Sequence, residues 1–274
     1  MCVRKGHNDM NNTKIEWCDS TWNPVTGCYN GCGYCYAKGI ARRFGLHGTE
    51  RDIEKRALDI PAAKAGKKSP YPFDFEPTLH RYRLDEPQKL KKPRTIFVCS
   101  MADLFGKWVS DEWIEEVLAA CEKAPQHRYL FLTKNPQRYA ELHKKNKLPL
   151  LKNMWYGASV TNYLQAEQTN RALGNCQEAN LFLSVEPLLE DITKYDSWVH
   201  LCFDNITGWV ILGAETGNRK GKAVPKNEWI DNIIDDCEYN DIPLFMKDSL
   251  IPIVGKDNMS RDFPWKTGQE AKQE

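Results

Sequence analysis

From residue 94 onward, short apolar runs alternate with stretches whose apolar positions are spaced for a helix. Residues 95–100 (Thr-Ile-Phe-Val-Cys-Ser) are a β-prone run. Residues 111–123 follow, with Trp113, Ile114, Val117 and Leu118 on one helical face. The strand signal returns at 129–133, 154–160, 180–185, 209–213 and 243–246, and the helix signal at 136–146, 163–173 and 227–239. Continuous apolar runs mark strands buried on both faces. Such strands alternating with amphipathic helices make βα units and a mostly parallel sheet. An opening strand at residues 14–17 brings the total to about seven. The expected fold class is therefore α/β, a partial or full parallel (β/α) barrel, with an open doubly wound sheet as the alternative.

Upstream of residue 94 the pattern is different. Residues 1–13 read as a flexible N-terminal tail, residues 19–34 as an elaborate loop, and residues 35–44 as a helix. Residues 48–94 are charged and punctuated by Pro61, Pro70, Pro72, Pro77, Pro87 and Pro93, which marks an insertion after the first helix, with a short helix at 50–58. Its basic end, residues 81–94, reads as a solvated loop, and His127 as structural. The expected layout is a tail, a barrel domain over 14–250, and a C-terminal extension over 251–274. From Gly255 to Glu274 it is polar apart from Phe263 and Trp265, and either wraps the barrel or frays.

Composition narrows the function classes. The chain has 274 residues and a net charge of +1, which argues against binding nucleic acid by bulk electrostatics while leaving room for a local basic groove. Mean hydropathy is −0.61, and no apolar run approaches the roughly 18 residues of a membrane span. The first residues lack the apolar stretch of a signal peptide, so the expected compartment is the cytoplasm. The chain has ten cysteines; in a reducing compartment a tight cluster of them points to metal or catalytic chemistry rather than to disulfides, while scattered ones are by default small buried hydrophobes. Nine tryptophans call for indole N–H partners, in the core or lining a pocket.

Polar residues follow many of the apolar runs: Ser100 and Asp103; Thr133 and Lys134; Ser159, Thr161 and Asn162; Glu186; Glu215 and Thr216; Lys247 and Asp248. In parallel α/β folds the carboxyl ends of the strands carry the active site. Each such residue alone has an ordinary use as a helix cap or turn residue. Together they read as a polar ring at a barrel mouth.

The sharpest signal is Cys28-Tyr-Asn-Gly-Cys32-Gly-Tyr-Cys35, three thiols in eight residues with Gly27, Gly31 and Gly33 among them. Thiolates suit zinc or iron–sulfur clusters. A structural zinc site needs a fourth ligand, for which Cys18 and His47 are the neighbours, neither at a familiar finger spacing. A [4Fe–4S] cluster on three cysteines instead leaves one iron open for chemistry. The C-x-x-x-C-x-x-C spacing, with Tyr34 before the last cysteine, resembles the signature of the radical S-adenosylmethionine (SAM) superfamily. That resemblance implies that Cys28, Cys32 and Cys35 ligate the cluster and that SAM chelates the open iron. It also implies that one electron cleaves SAM to a 5′-deoxyadenosyl radical, and that this radical takes hydrogen from substrate. It places Tyr34 near the adenine. Asp103, Ser100 and the Met101 backbone stand where many members use a Gly-Gly-Glu stretch to hold the SAM amino group, which is a departure from the usual pattern. Thr133 and Ser159 are further SAM candidates, and Lys134, Glu186, Glu215 and Lys247 are candidates to act on SAM or substrate.

A closer resemblance covers about residues 13–250. Thr13-Lys-Ile-Glu-Trp17, Thr21-Trp-Asn-Pro-Val-Thr-Gly-Cys28, Phe97-Val-Cys-Ser-Met-Ala-Asp-Leu-Phe105, Phe182-Leu-Ser-Val-Glu-Pro-Leu188 and Val210-Ile-Leu-Gly-Ala-Glu-Thr-Gly217 are similar to a phage-associated three-cysteine-motif family. Members often carry Gly-Gly-Glu-Ser-Gly at the last of these, so Ala214 and Thr216 are mild departures that keep the acid. The resemblance implies a radical SAM-type enzyme of unknown substrate and an electron donor such as flavodoxin or ferredoxin. The phage association points to a nucleic acid or nucleotide substrate, which the charge balance does not support. The alternative is a non-catalytic, metal- or cluster-stabilised binding module of a phage or defence complex.

Overall fold

The first parallel strand is Ser20–Trp22, not residues 14–17. In this computed structural model, Cys18 N–H donates to the Ile15 carbonyl and closes a turn there. Trp17 is buried from that turn, packing on Phe97 with ring centroids 4.7 Å apart, so its apolar character reports burial rather than a strand. Residues 11–64, 66–203, 207–217 and 220–265 are described. The expected tail up to residue 10, and the C-terminal extension from residue 266, lie outside the described residues. The chain divides into two compact units, Met1–Phe131 and Leu132–Glu274.

In the first unit Ser20–Trp22 runs parallel to Thr95–Val98 with Ser20 opposite Ile96, and Thr95–Val98 runs parallel to the strand Arg128–Thr133. Asn11–Asn12 adds a short antiparallel strand to Ser20–Trp22. Trp22, Ile96, Leu130 and Phe131 are fully buried. The helix Asp111–Glu122 buries Trp113, Ile114, Val117, Leu118 and Cys121, as its spacing predicts. Ser110 caps it by accepting from Trp113 N–H, worth about 1 kcal/mol.

The insertion folds as well. Val25–Thr26 pairs antiparallel with Thr78–His80, which pairs in parallel with Ala57–Leu58. Ala63–Lys64 and Lys67–Lys68 form a hairpin. The helix expected at 50–58 is only a 3₁₀ turn, Glu54–Arg56, because the next two residues find their backbone partners in the Thr78–His80 strand. Residues 81–94 are not a loose solvated loop. Arg81 donates to both oxygens of Glu116, and Arg83 pairs with a largely buried Glu86 at 2.9 Å. His127 is buried and donates from Nε2 to the Pro87 carbonyl at 2.9 Å, a structural role as expected.

In the second unit Met154–Ser159, Asn180–Val185, Val210–Leu212 and Leu244–Met246 pair in parallel in that order. The longer helices are Gln137–Lys144, Tyr163–Leu173, Asp196–Phe203 and Asn227–Tyr239. Asp196–Phe203 has no counterpart in the sequence reading, although Trp198, Leu201 and Cys202 are buried at helical spacing. The C-terminal extension wraps as far as it is described. Met246 N–H donates to Ser260 O and Asp262 N–H to Leu244 O, while Phe263 and Trp265 pack on Trp209. Core packing accounts for Trp22, Trp198 and Trp209, whose indole N–H groups donate to Arg83 O, Asp236 Oδ2 and Asp262 O. Among the described residues no helix is long and apolar enough to cross a membrane.

Candidate functional site

The cysteine loop leaves the carboxyl end of Ser20–Trp22 by way of Val25–Thr26. Gly27, at φ +86°, turns the chain where only glycine fits: a Cβ there would lie 2.2 Å from the Glu76 carbonyl oxygen. Cys28, Cys32 and Cys35 are all partly exposed. Cys35 then occupies the N-cap position of the helix Tyr36–Phe44, one residue later than the predicted helix start. Asn30 N–H lies 3.4 Å from Cys28 Sγ, and Cys35 N–H donates to Cys32 O.

The segment after Thr95–Val98 anchors this loop. Asn30 Nδ2 donates to Asp103 Oδ2 at 2.8 Å, and Phe105 N–H donates to the other carboxylate oxygen at 3.2 Å. Gly27 N–H donates to Met101 O, and Met101 N–H donates to Asn23 Oδ1 at 2.9 Å. Ser100 Oγ donates to the same Asn23 oxygen, and Tyr36 OH donates to Ser100 O. The Met101 side chain packs with Ala37, Ala41 and Tyr71. Ser100, Met101 and Asp103 are thus brought to the three cysteines, each with bonds that hold the loop. Tyr34 is half-buried on the loop itself. Asn23, Asn30 and Tyr36 escaped the sequence reading, although Asn30 sits between two of the cysteines and Asn23 in the Thr-Trp-Asn-Pro stretch.

The Cys28 thiol is pushed up to about 12, chiefly by burial, with the Asn30 N–H bond opposing and the neighbouring Asp103, Cys32 and Cys35 adding to the rise. The Asp103 carboxylate and the burial make a bare Cys28 thiolate costly and a cationic centre beside it favourable. Among the described residues no group of three or more His, Cys, Asp or Glu side chains is placed to hold a single metal ion. A cubane cluster is bound differently, each thiolate on its own iron, and three soft donors on one glycine-rich loop fit it. The two neighbours weighed as a fourth zinc ligand have other partners: Cys18 Sγ lies 3.9 Å from Ile15 O, and His47 pairs with Asp74 at 2.8 Å.

The second unit gathers its own strand-end set. Glu186 follows Asn180–Val185, Lys247 follows Leu244–Met246, and the Lys247 ammonium donates to the Glu186 carboxylate. Gly213 lies against both, since a Cβ there would be 3.2 Å from Glu186 Cγ and from Lys247 Cδ. Ala214 N–H donates to Ser249 Oγ, and the buried Glu215 accepts from Ala223 N–H at 3.1 Å. Ser159 is buried opposite Ser184, and Lys134 is half-buried. Thr133 accepts from Asn135 N–H, Thr161 donates to Gln165, and Asn162 accepts from Gln165 N–H, which are turn and cap roles.

Among the described residues seven strands pair in parallel, with intervening helices and a cysteine loop after the first of them, an α/β fold of the partial (β/α) barrel kind. Solved structures of spore photoproduct lyase share that fold. A variant with bound AdoMet and dinucleoside spore photoproduct matches with a TM-score of 0.52 at 11% identity, over 88% of this chain and 79% of that one. A second variant matches with a TM-score of 0.51 at 12% identity, over 86% and 78%. A third structure, complexed with dinucleoside spore photoproduct, gives 0.50 at 10%, over 88% and 79%. At these identities the likeness is one of fold. No curated protein matches the chain. The chain belongs to the family described as protein of unknown function (DUF5131), which matches residues 12–261.

Proposed function

We propose that this chain is a radical SAM-type enzyme, in which Cys28, Cys32 and Cys35 hold a [4Fe–4S] cluster. The observation that carries this reading is the position of the three-thiol loop, at the carboxyl end of the first parallel strand of a fold shared with spore photoproduct lyase. When bound, the cluster and SAM together supply one-electron cleavage of SAM and a radical that takes a hydrogen atom from substrate. The protein's own part is to bind, orient and exclude water. Asp103 and Asn23 hold the loop in place, with Ser100 and Met101 between them, and Tyr34 borders the SAM site. In the second unit we assign Thr133, Ser159 and Lys134, together with the Glu186–Lys247 pair and Glu215, to ligand binding. The Lys247 ammonium beside Glu186 offers both a proton donor and an acceptor to a polar ligand.

A nucleotide-containing substrate is the favoured class, supported by the dinucleoside held by the fold neighbour. The test is anaerobic reconstitution with iron and sulfide, reduction, addition of SAM, and assay for 5′-deoxyadenosine. Product that disappears in Cys32→Ala supports the reading. Stoichiometric zinc with no cluster after reconstitution overturns it.

A further inference from the structure

The insertion touches the cysteine loop at three consecutive residues. Gly27 lies flush against the Phe75 and Glu76 carbonyls, Cys28 N–H donates to Phe75 O at 3.1 Å, and the Tyr29 hydroxyl donates to the Glu76 carboxylate. Behind this contact lies Arg56, with its side chain 3% exposed. Its Nη1 donates to Glu76 Oε2 at 2.7 Å and its Nη2 to Tyr29 OH at 3.1 Å. The Trp108 ring meets Tyr29 edge-on, 5.3 Å between centroids. The Arg56 Nε–H is buried and, among the described residues, has no hydrogen-bond partner.

A buried guanidinium with an unsatisfied N–H is an expensive way to gain stability. An apolar side chain of similar length often serves a core as well or better. What an apolar side chain cannot do is hold a phenol and a carboxylate at once in a fixed fork. Tyr29 directly follows the first cysteine, so whatever fixes Tyr29 fixes the peptide that aims Cys28.

We infer that Arg56 is a positioning residue for the metal loop: through Tyr29 and Glu76 it sets how Cys28 presents its sulfur and the charge behind it. The insertion thereby serves as the outer support of the cluster, the kind of contact that tunes a metal site without touching the metal. Removing Arg56 leaves the Glu76 carboxylate uncompensated beside the loop. Added negative charge disfavours reduction, so the cluster potential moves to more negative values.

This inference rests on the cluster reading above, and the experiment separates the two. The full chain is reconstituted anaerobically as wild type, Arg56→Met, Arg56→Met/Glu76→Gln and Tyr29→Phe. Four quantities are read: thermal melting, the rate of cluster loss to an iron chelator, the EPR spectrum of the reduced state, and the midpoint potential. Arg56→Met is expected to melt near the wild type yet lose its cluster about tenfold faster. Its EPR signal is altered and its potential lower, and the double variant recovers much of the potential but not the EPR signal. Tyr29→Phe deletes only one oxygen from a half-exposed side chain, and is expected to alter the EPR signal in the same direction. It decides the matter if Arg56→Met does not fold. A wild type that takes up no cluster ends the cluster reading and this inference with it. A wild type that takes it up, with Arg56→Met or Tyr29→Phe matching it in chelator resistance, EPR and potential, overturns the inference alone.

Discussion

Replacing Gly27 by alanine tests whether the insertion shapes the cysteine loop. The residue sits at φ +86°, where an L side chain costs about 1–2 kcal/mol. The added Cβ would also lie 2.2 Å from Glu76 O and 2.7 Å from Phe75 O, both backbone atoms. Reaching ordinary contact requires the 75–76 backbone to retreat by about 1 Å, which strains the Cys28 N–H bond to Phe75 O, worth about 1 kcal/mol. The total is about 2–3 kcal/mol, or a fall in Tm of about 3–5 °C for a chain of this size. Two other glycines of the loop calibrate the result. Gly31 has φ +67° but its Cβ would meet nothing nearer than 4.0 Å, so Gly31→Ala costs about 1 kcal/mol of conformation alone. Gly33 has open space, and Gly33→Ala is expected within about 0.5 kcal/mol of the wild type. The assay is thermal melting of the cluster-free protein by circular dichroism, with iron uptake measured in parallel. A Gly27→Ala protein that melts with Gly33→Ala and takes up iron equally would refute the packing argument.

Asp103→Ala removes the buried acceptor of Asn30 Nδ2 and Phe105 N–H, and is expected to cost about 1–3 kcal/mol in urea unfolding and to speed iron loss; unchanged values for both would show that Asp103 does not anchor the loop. His80 is buried against Thr26 Oγ1, and burial, with the Arg83 charge adding to it, lowers its pKa to about 3. Its neutral form is favoured by folding, so its contribution is complete above the unfolded value of 6.5 and is lost as pH falls from there toward 3. Stability should drop by about 2 kcal/mol between pH 7 and pH 5 from this group, and His80→Gln should flatten that slope; equal slopes in the two proteins count against the assignment. Lys247→Met strands the Glu186 carboxylate and is expected to destabilise the protein by about 1–3 kcal/mol, with Glu186→Gln/Lys247→Met recovering part of the loss. Purely additive urea midpoints would mean that the two side chains do not interact.

What the amino-acid order determined by itself is what a few neighbouring residues can encode. Apolar runs at 129–133, 154–160 and 180–185 became strands within a residue or so of their predicted bounds, because burial on both faces demands an uninterrupted apolar segment. The Trp113, Ile114, Val117 and Leu118 spacing became the buried face of a helix for the same local reason. The three-cysteine spacing with its glycines singled out the loop on which the proposed function rests, since thiols that share one centre or cluster must lie on a chain that can fold tightly. The errors came where distant contacts outweighed local preference. Residues 14–17 look like a strand, but the register with Ile96 belongs to Ser20. Residues 57–58 look helical, but their ladder is with residues 79–80. The supports of the loop were beyond local reading altogether. Asn30 meets Asp103 across 73 residues, and Arg56 meets Tyr29 across 27. No pattern along the chain marks Arg56 among its charged neighbours as the one that is buried. Only tertiary packing decides which charge loses its water, because that depends on what the rest of the chain places around it.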